Sequence, residues 1–265
     1  LGIILKALPF EMIMIGGAAL GAFLLGNDMA AVKRTASDIG KVFKGAKWKP
    51  ADYRDLLCLL FELIRVARSN PVALEEHIER PESSGIFARY PRIAKDHEAV
   101  DLICDTLRAA SMNYDDPHQV EEVLDKRMET HQSHAMHSSH ALQTVADALP
   151  ALGIVAAVLG VIKTMGSIDQ PPEILGKMIG SALVGTFLGV FLAYGLFGPF
   201  AARVKAVTEE DGHFYLLIRE VLVANLHNHA PNICIEVGRQ NTPHHVRPSF
   251  GDVETALRAL KAEAA

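Results

Sequence analysis

At 265 residues the chain is long enough for one or two domains with a sizeable core. Lys and Arg number 26 against 31 Asp and Glu, a formal net charge of −5; this argues against a general nucleic-acid surface, which carries a basic excess. Three cysteines, Cys58, Cys104 and Cys234, are too few and too scattered for a disulfide framework or a zinc set, and suit a reducing compartment. The chain is 49% hydrophobic and 22% charged, but the charge is unevenly spread. One uncharged run long enough for a bilayer and two shorter ones alternate with stretches charged like a soluble protein, so the sequence describes a membrane protein with a large water-facing part.

The first apolar run is Met12–Gly26, with Pro9 and Glu11 at its entrance. Lys6 and Glu11 make residues 1–11 a poor bilayer segment by themselves, and 1–26 reads as an N-terminal membrane segment. The opening residue is Leu and the apolar start is abrupt, so the expectation is that the natural beginning, with one more membrane helix, lies upstream; a cleaved signal peptide is the alternative.

Residues 27–145 read as a helical domain. Lys33, Arg34, Lys41, Lys44, Lys47 and Lys49 follow the first span, opposed only by Asp28 and Asp38, which places this domain in the cytoplasm. Residues 51–68 predict a strong helix with a broad apolar face. Asn70-Pro71 breaks it, and a short charged helix follows from Val72 to Glu79. Another helix covers 93–111, with Ile93, Val100, Ile103, Leu107 and Ala110 inward. After Asp115-Asp116-Pro117, proline at the first helical position starts a helix that continues through residue 140.

Residues 146–202 read as a transmembrane hairpin. The uncharged run Ala148–Ile162 is short, but it pairs through the turn Ser167–Pro172 with the clearest span, Met178–Ala202. The connection 163–177 carries two basic and two acidic residues and lies outside. The tail 203–265 returns to the cytoplasm, with helices at 204–229 and 251–262. No stretch alternates convincingly as a strand. The fold class is all-α, a polytopic membrane protein whose long helices extend into a helical cytoplasmic domain.

No enzyme motif is visible: the chain has no phosphate loop, nucleophile elbow, CxxC or HExxH. His131, His134, His137 and His140 recur every three residues, and successive steps of about 300° fan them around a helix, so four cannot converge on one metal. Neither metal nor cofactor is expected. Ionisable groups inside membranes mark ion pathways, yet the two hairpin spans have none. They carry small residues instead: Gly153, Ala157 and Gly160 on one side of the first, and Ala182, Thr186, Gly189 and Ala193 on one side of the second. Small faces let helices approach closely, and packing alone accounts for each residue singly. Together, a small lining with one hydroxyl and no carboxylate suggests a pathway whose titrating group comes from a partner subunit. Pro150 and Pro199 punctuate the two spans near the same depth; a proline within a continuing helix frees a carbonyl and kinks it, as a hinge or as a static bend.

Several motifs in order now carry a resemblance. Ala148-Leu-Pro-Ala-Leu-Gly-Ile-Val-Ala-Ala-Val-Leu-Gly160, Val184-Gly-Thr-Phe-Leu-Gly189 and Leu192-Ala-Tyr-Gly195 resemble the MotA-type stator subunits of the MotA/TolQ/ExbB proton channel family. So do Ile86-Phe-Ala-Arg-Tyr-Pro-Arg92, Ala230-Pro231, Glu236, Gly238-Arg239 and Arg247-Pro-Ser-Phe250, and the similarity runs from about residue 8 to 260. The resemblance implies four membrane helices, a pentameric ring around two MotB subunits that supply the ion-carrying aspartate, the bacterial inner membrane as location, and the rotor protein FliG as the target of torque. Carried over by position, Thr186 matches the threonine facing the MotB aspartate, Pro150 and Pro199 match the prolines that couple ion flow to movement, and Arg68 and Glu76 match the charged pair that engages FliG. Ser69-Asn70-Pro71 departs from the Gly-containing stretch usual between that pair. Alanine at position 157, where sodium-driven relatives carry threonine, removes an oxygen ligand for a hard cation and points to protons as the coupling ion. The rival is an ExbB/TolQ-type energiser, and a structural scaffold without ion coupling is the reading of a different class.

Overall fold

A computed structural model describes residues 2–112 and 116–263; Asp115, one of the expected helix-start signals, lies outside the described residues. In chain order the helices are α1 (Gly2–Gly26), α2 (Met29–Ile39), α3 (Lys41–Lys44), α4 (Pro50–Ser69), α5 (Pro71–Glu79), α6 (Gly85–Ala88), α7 (Pro91–Ala94), α8 (His97–Ser111), α9 (Pro117–Met165), α10 (Pro172–Leu192), α11 (Gly198–Leu226), α12 (Pro231–Asn241) and α13 (Phe250–Glu263). A π-helical turn, Ala193–Phe197, joins α10 to α11, and no strand occurs among the described residues. Three helical stretches are long and apolar enough to cross a bilayer: Ile4–Gly26, Pro117–Met165 and Pro172–Leu226.

Local chemistry sets the boundaries. Proline stands in the first turn of α4, α5, α7, α10 and α12, where its missing N–H has no intrahelical partner to lose. Asp28, Asn70, Ser84 and Asp96 cap α2, α5, α6 and α8 through their side-chain oxygens. The Asp96 cap splits the expected helix 93–111 into α7 and α8. Residues 29–44, read only as a basic stretch, form α2 and α3. The first span also starts earlier than its uncharged run, because α1 continues through Pro9 and Glu11.

The chain divides into two compact units, 1–45 with 135–207 and 46–134 with 208–265, and the divisions fall inside α9 and α11. The reason is apolar: Ile39 and Val42 from the α2–α3 segment pack on a small core of Leu142, Ala201 and Val204, which joins residues outside the apolar runs to the first unit. That unit's other core is thin, formed by Ile15, Ala19, Leu149, Ala156, Leu188, Leu192 and Ala193. The second unit is closed around α4, where Leu56, Leu57, Leu59, Leu60, Leu63 and Ile64 are fully buried. Trp48 stacks on Phe214 at 3.7 Å between ring centroids.

Candidate functional site

The two hairpin helices meet through their small residues. A Cβ placed on Gly153 would stand 2.8 Å from the Gly185 carbonyl oxygen and 3.1 Å from the Gly189 Cα. One on Gly189 would stand 2.6 Å from the Leu149 carbonyl oxygen, and one on Gly160 would stand 2.5 Å from the Ala182 Cβ. At Gly153 and Gly189 these are backbone-to-backbone approaches, at Gly160 a contact with the alanine methyl, and a side chain would close all three. Gly153 and Gly189, expected beside an ion route, therefore sit against each other in the seam of the hairpin. Ala157 and Thr186 differ from them in being half-buried.

Glu11 reads in the sequence only as a charge at the entrance of the first span. It lies within α1, is more than nine-tenths buried, and its Oε2 has no hydrogen-bond partner. The same oxygen would be 2.8 Å from a Cβ on Gly185, so the absence of that Cβ makes room for the carboxyl. Glu11 borders a cleft of about 870 Å³ whose other charged lining is Lys6, Lys163 and Lys177. A charge count along the sequence weighs Glu11 against membrane insertion; only the packing of α1 on α10 reveals a carboxyl enclosed among helices.

Both prolines lie in helix, with different consequences. Pro150 sits inside α9, whose helix continues through it, and offers no N–H to the Ala146 carbonyl. Pro199 is the second residue of α11, separated from the π-helical turn by Gly198, whose N–H completes the wider bonding by donating to the Ala193 carbonyl. The irregularity at Pro199 is thus a change of helical pitch, and such turns are frequent at functional sites.

In the second unit Arg68 and Glu76 are both exposed, on α4 and α5. The Asn70 side chain accepts a hydrogen bond from the Ala73 N–H, so the Ser69-Asn70-Pro71 turn is an ordered helix-to-helix junction. Arg68 directs its guanidinium to the Asn225 side-chain oxygen (2.8 Å) and to the His229 carbonyl (2.5 Å). The segment 86–92 clamps this unit: Arg89 and the Tyr90 hydroxyl both donate to Glu62, while Arg92 pairs with Asp52 at 2.9 Å. Asp96 accepts from Lys47 and from the Tyr215 hydroxyl. Burial first, then the negative charge of Asp96, pushes the Tyr215 hydroxyl well above its usual pKa range. The three cysteines are buried and free, and burial raises their thiols, Cys58 to about 11 and Cys104 to about 12, as inert core groups.

The histidine series fans out as its spacing predicts: His131 is half-buried with its ring 4.6 Å from that of Tyr215, and His134, His137 and His140 are exposed. A different cluster is brought together by the fold, His118 and Glu121 at the start of α9 with His227 just beyond α11.

With that geometry in view, the chain matches two family models: motility protein A N-terminal over residues 1–71, and the MotA/TolQ/ExbB proton channel family over residues 95–213. It is 40% identical to motility protein A of Escherichia coli over 96% of this chain and 86% of that protein. It is 34% identical to chemotaxis protein LafT of Vibrio parahaemolyticus over 94% and 88%. Among solved structures it resembles the MotAB structure of C. jejuni with a TM-score of 0.68 at 19% identity, over 91% of this chain and 86% of that one. The flagellar MotAB stator complex of Bacillus subtilis gives a TM-score of 0.63 at 20% identity, over 86% and 82%. At that identity the likeness to solved structures is one of fold.

Proposed function

The chain belongs to the MotA/TolQ/ExbB proton channel family and is a flagellar stator subunit, and from that premise we propose that it forms a pentameric ring around two MotB-type subunits and turns proton flow into torque on the rotor protein FliG. The ring lies in the bacterial inner membrane, with the second unit in the cytoplasm. Supporting the MotB reading is one observation above the others: the hairpin presents half-buried Thr186 beside a glycine seam while neither of its uncharged runs holds a carboxylate, so the Thr186 face is suited to an acid supplied by a partner. A carboxyl that binds a proton loses its charge, which removes most of its cost in an apolar setting and lets one subunit step past it. Ala157 offers only a methyl group to the route, which suits a proton and not a sodium ion.

Gly153 and Gly189 keep the two hairpin helices together through that step, while Pro150 and the pitch change before Pro199 supply bending points in helices that continue as α9 and α11. Arg68 and Glu76, exposed on α4 and α5, face the rotor. One charge crossing a potential of about 100 mV releases roughly 2.3 kcal/mol, enough to drive a small conformational step. The motility protein A match at residues 1–71 favours the stator over an ExbB/TolQ-type energiser.

The test is substitution with assembly monitored. In cells carrying the full chain and its MotB-type partner, Thr186→Val and Pro199→Leu should abolish swimming while the complex still purifies intact. Full torque from an intact Pro199→Leu complex would remove the coupling role, and full motility from Thr186→Val would remove the proton route from this face.

A further inference from the structure

His118, Glu121 and His227 offer one ligand atom each, and those atoms all lie within 4.8 Å of one another. His118 Nδ1 is 3.7 Å and His227 Nε2 is 3.6 Å from the same oxygen, Glu121 Oε2. His118 and Glu121 are three residues apart on the first turns of α9, so they share a face. His227 comes from the turn after α11, 109 positions further along the chain.

Three features make this more than a chance meeting of polar groups. The two oxygens of Glu121 are divided: Oε1 accepts from Arg219 at 2.9 Å, which holds the carboxylate in place, while Oε2 is turned to the histidines. Carboxylates that serve metals are oriented by such outer partners. Arg219 does not leave the cluster positive, because Asp125 at 2.8 Å and Glu220 at 2.6 Å share its charge with Glu121, three carboxylates against one guanidinium. Finally, the His118 side chain is 78% exposed and free to turn, so its nitrogen can close the remaining distance. Donors about 2.1 Å from a shared tetrahedral ion stand roughly 3.4 Å apart, a small contraction from the spacing seen.

We propose that His118, Glu121 and His227 form a binding site for a divalent late first-row metal ion, with zinc as the best match to two imidazoles and one carboxylate. Three protein ligands leave a fourth position to water. The ion clips the start of α9 to the end of α11, next to Asn225 and His229, the two residues that accept hydrogen bonds from Arg68. An effect of the ion on torque rests on the reading of Arg68 as a rotor contact; the binding of the ion does not.

The experiment is a zinc titration of the purified full-length complex after chelator treatment, repeated with cobalt for its visible absorption. The proposal expects one zinc per chain with a dissociation constant of ~10 μM or tighter. It also expects cobalt bands of a four- or five-coordinate site, and a higher melting temperature with metal than without. His118→Ala, an exposed position whose loss leaves the core untouched, should weaken binding about tenfold or more and erase the cobalt bands, and His227→Ala should do the same. His134→Ala with His137→Ala should leave both unchanged. Absence of saturable binding, or binding that survives His118→Ala and His227→Ala but falls with the His134/His137 pair, would overturn the assignment. If metal binds as proposed while motility is insensitive to it, the site stands and its link to the rotor surface fails.

Discussion

The two units hold comparable amounts of apolar sequence and do opposite things with it. In the second unit α4 buries its leucines completely, and charged clamps from Arg89, Tyr90 and Arg92 close over the core. In the first unit Leu25, Phe10 and Ile13 are 92%, 77% and 75% exposed, and Phe187 and Phe191 stack on each other in the open. Exposed apolar area on this scale belongs against lipid or against other subunits. The contrast teaches that one unit is complete as a folded body, whereas the other carries surfaces whose partners lie outside the chain. It also separates two kinds of cohesion, interlocked large side chains in one and close backbone approach through glycine in the other.

That contrast can be broken first where it is strongest. Leu60→Ala in the closed core should cost about 2–5 kcal/mol, read as a large fall in melting temperature of the purified protein; a cost below 1 kcal/mol would mean that α4 is not a tightly packed core. In the hairpin the sharper comparison is between glycines. Gly153→Ala, which meets the Gly185 carbonyl, should destabilise by ~1–3 kcal/mol and separate the two spans, whereas Gly21→Ala on open α1 should be neutral or stabilise by up to ~1 kcal/mol. Equal responses at the two sites would dissolve the seam.

Arg68→Ala should change melting by less than ~1 kcal/mol, since its partners accept at an exposed surface, yet it should lower motor torque in tethered-cell rotation. The smallest effect concerns acid. Arg239 donates twice to Glu236, at 2.7 and 2.8 Å, and this pairing holds the Glu236 carboxyl below its usual range against the opposing effect of burial. A carboxyl whose folded-state pKa is depressed stabilises the fold above its unfolded pKa of about 4.3 and loses that contribution as pH falls through the folded value. Melting temperature should therefore drop below pH about 4.3, and Arg239→Gln should remove about 0.5 kcal/mol of that dependence once solvent screening is allowed for.

Legibility in the sequence followed the range of the interactions. The α4 helix, its break at Asn70-Pro71 and the tail helix α13 came within about a residue of their observed ends, because capping and proline chemistry act over a few positions. The small-residue faces of the hairpin were equally visible, although which glycines touch was not: Gly153 meeting Gly189 depends on the angle between helices. The enclosure of Glu11 is invisible in the sequence because its burial against Gly185 is a property of a neighbouring helix. The π-helical turn before Pro199 has no local signature beyond Gly198-Pro199 itself. His118 and His227, 109 positions apart, were beyond any spacing rule.

The most direct measurement is swimming speed and proton uptake in cells that hold the full chain with its MotB-type partner, as the proton and the sodium gradients are collapsed in turn. A proton-driven stator predicts that rotation stops when the proton gradient is removed and continues when the sodium gradient is removed. Rotation that followed sodium instead would contradict the route drawn through Ala157 and Thr186.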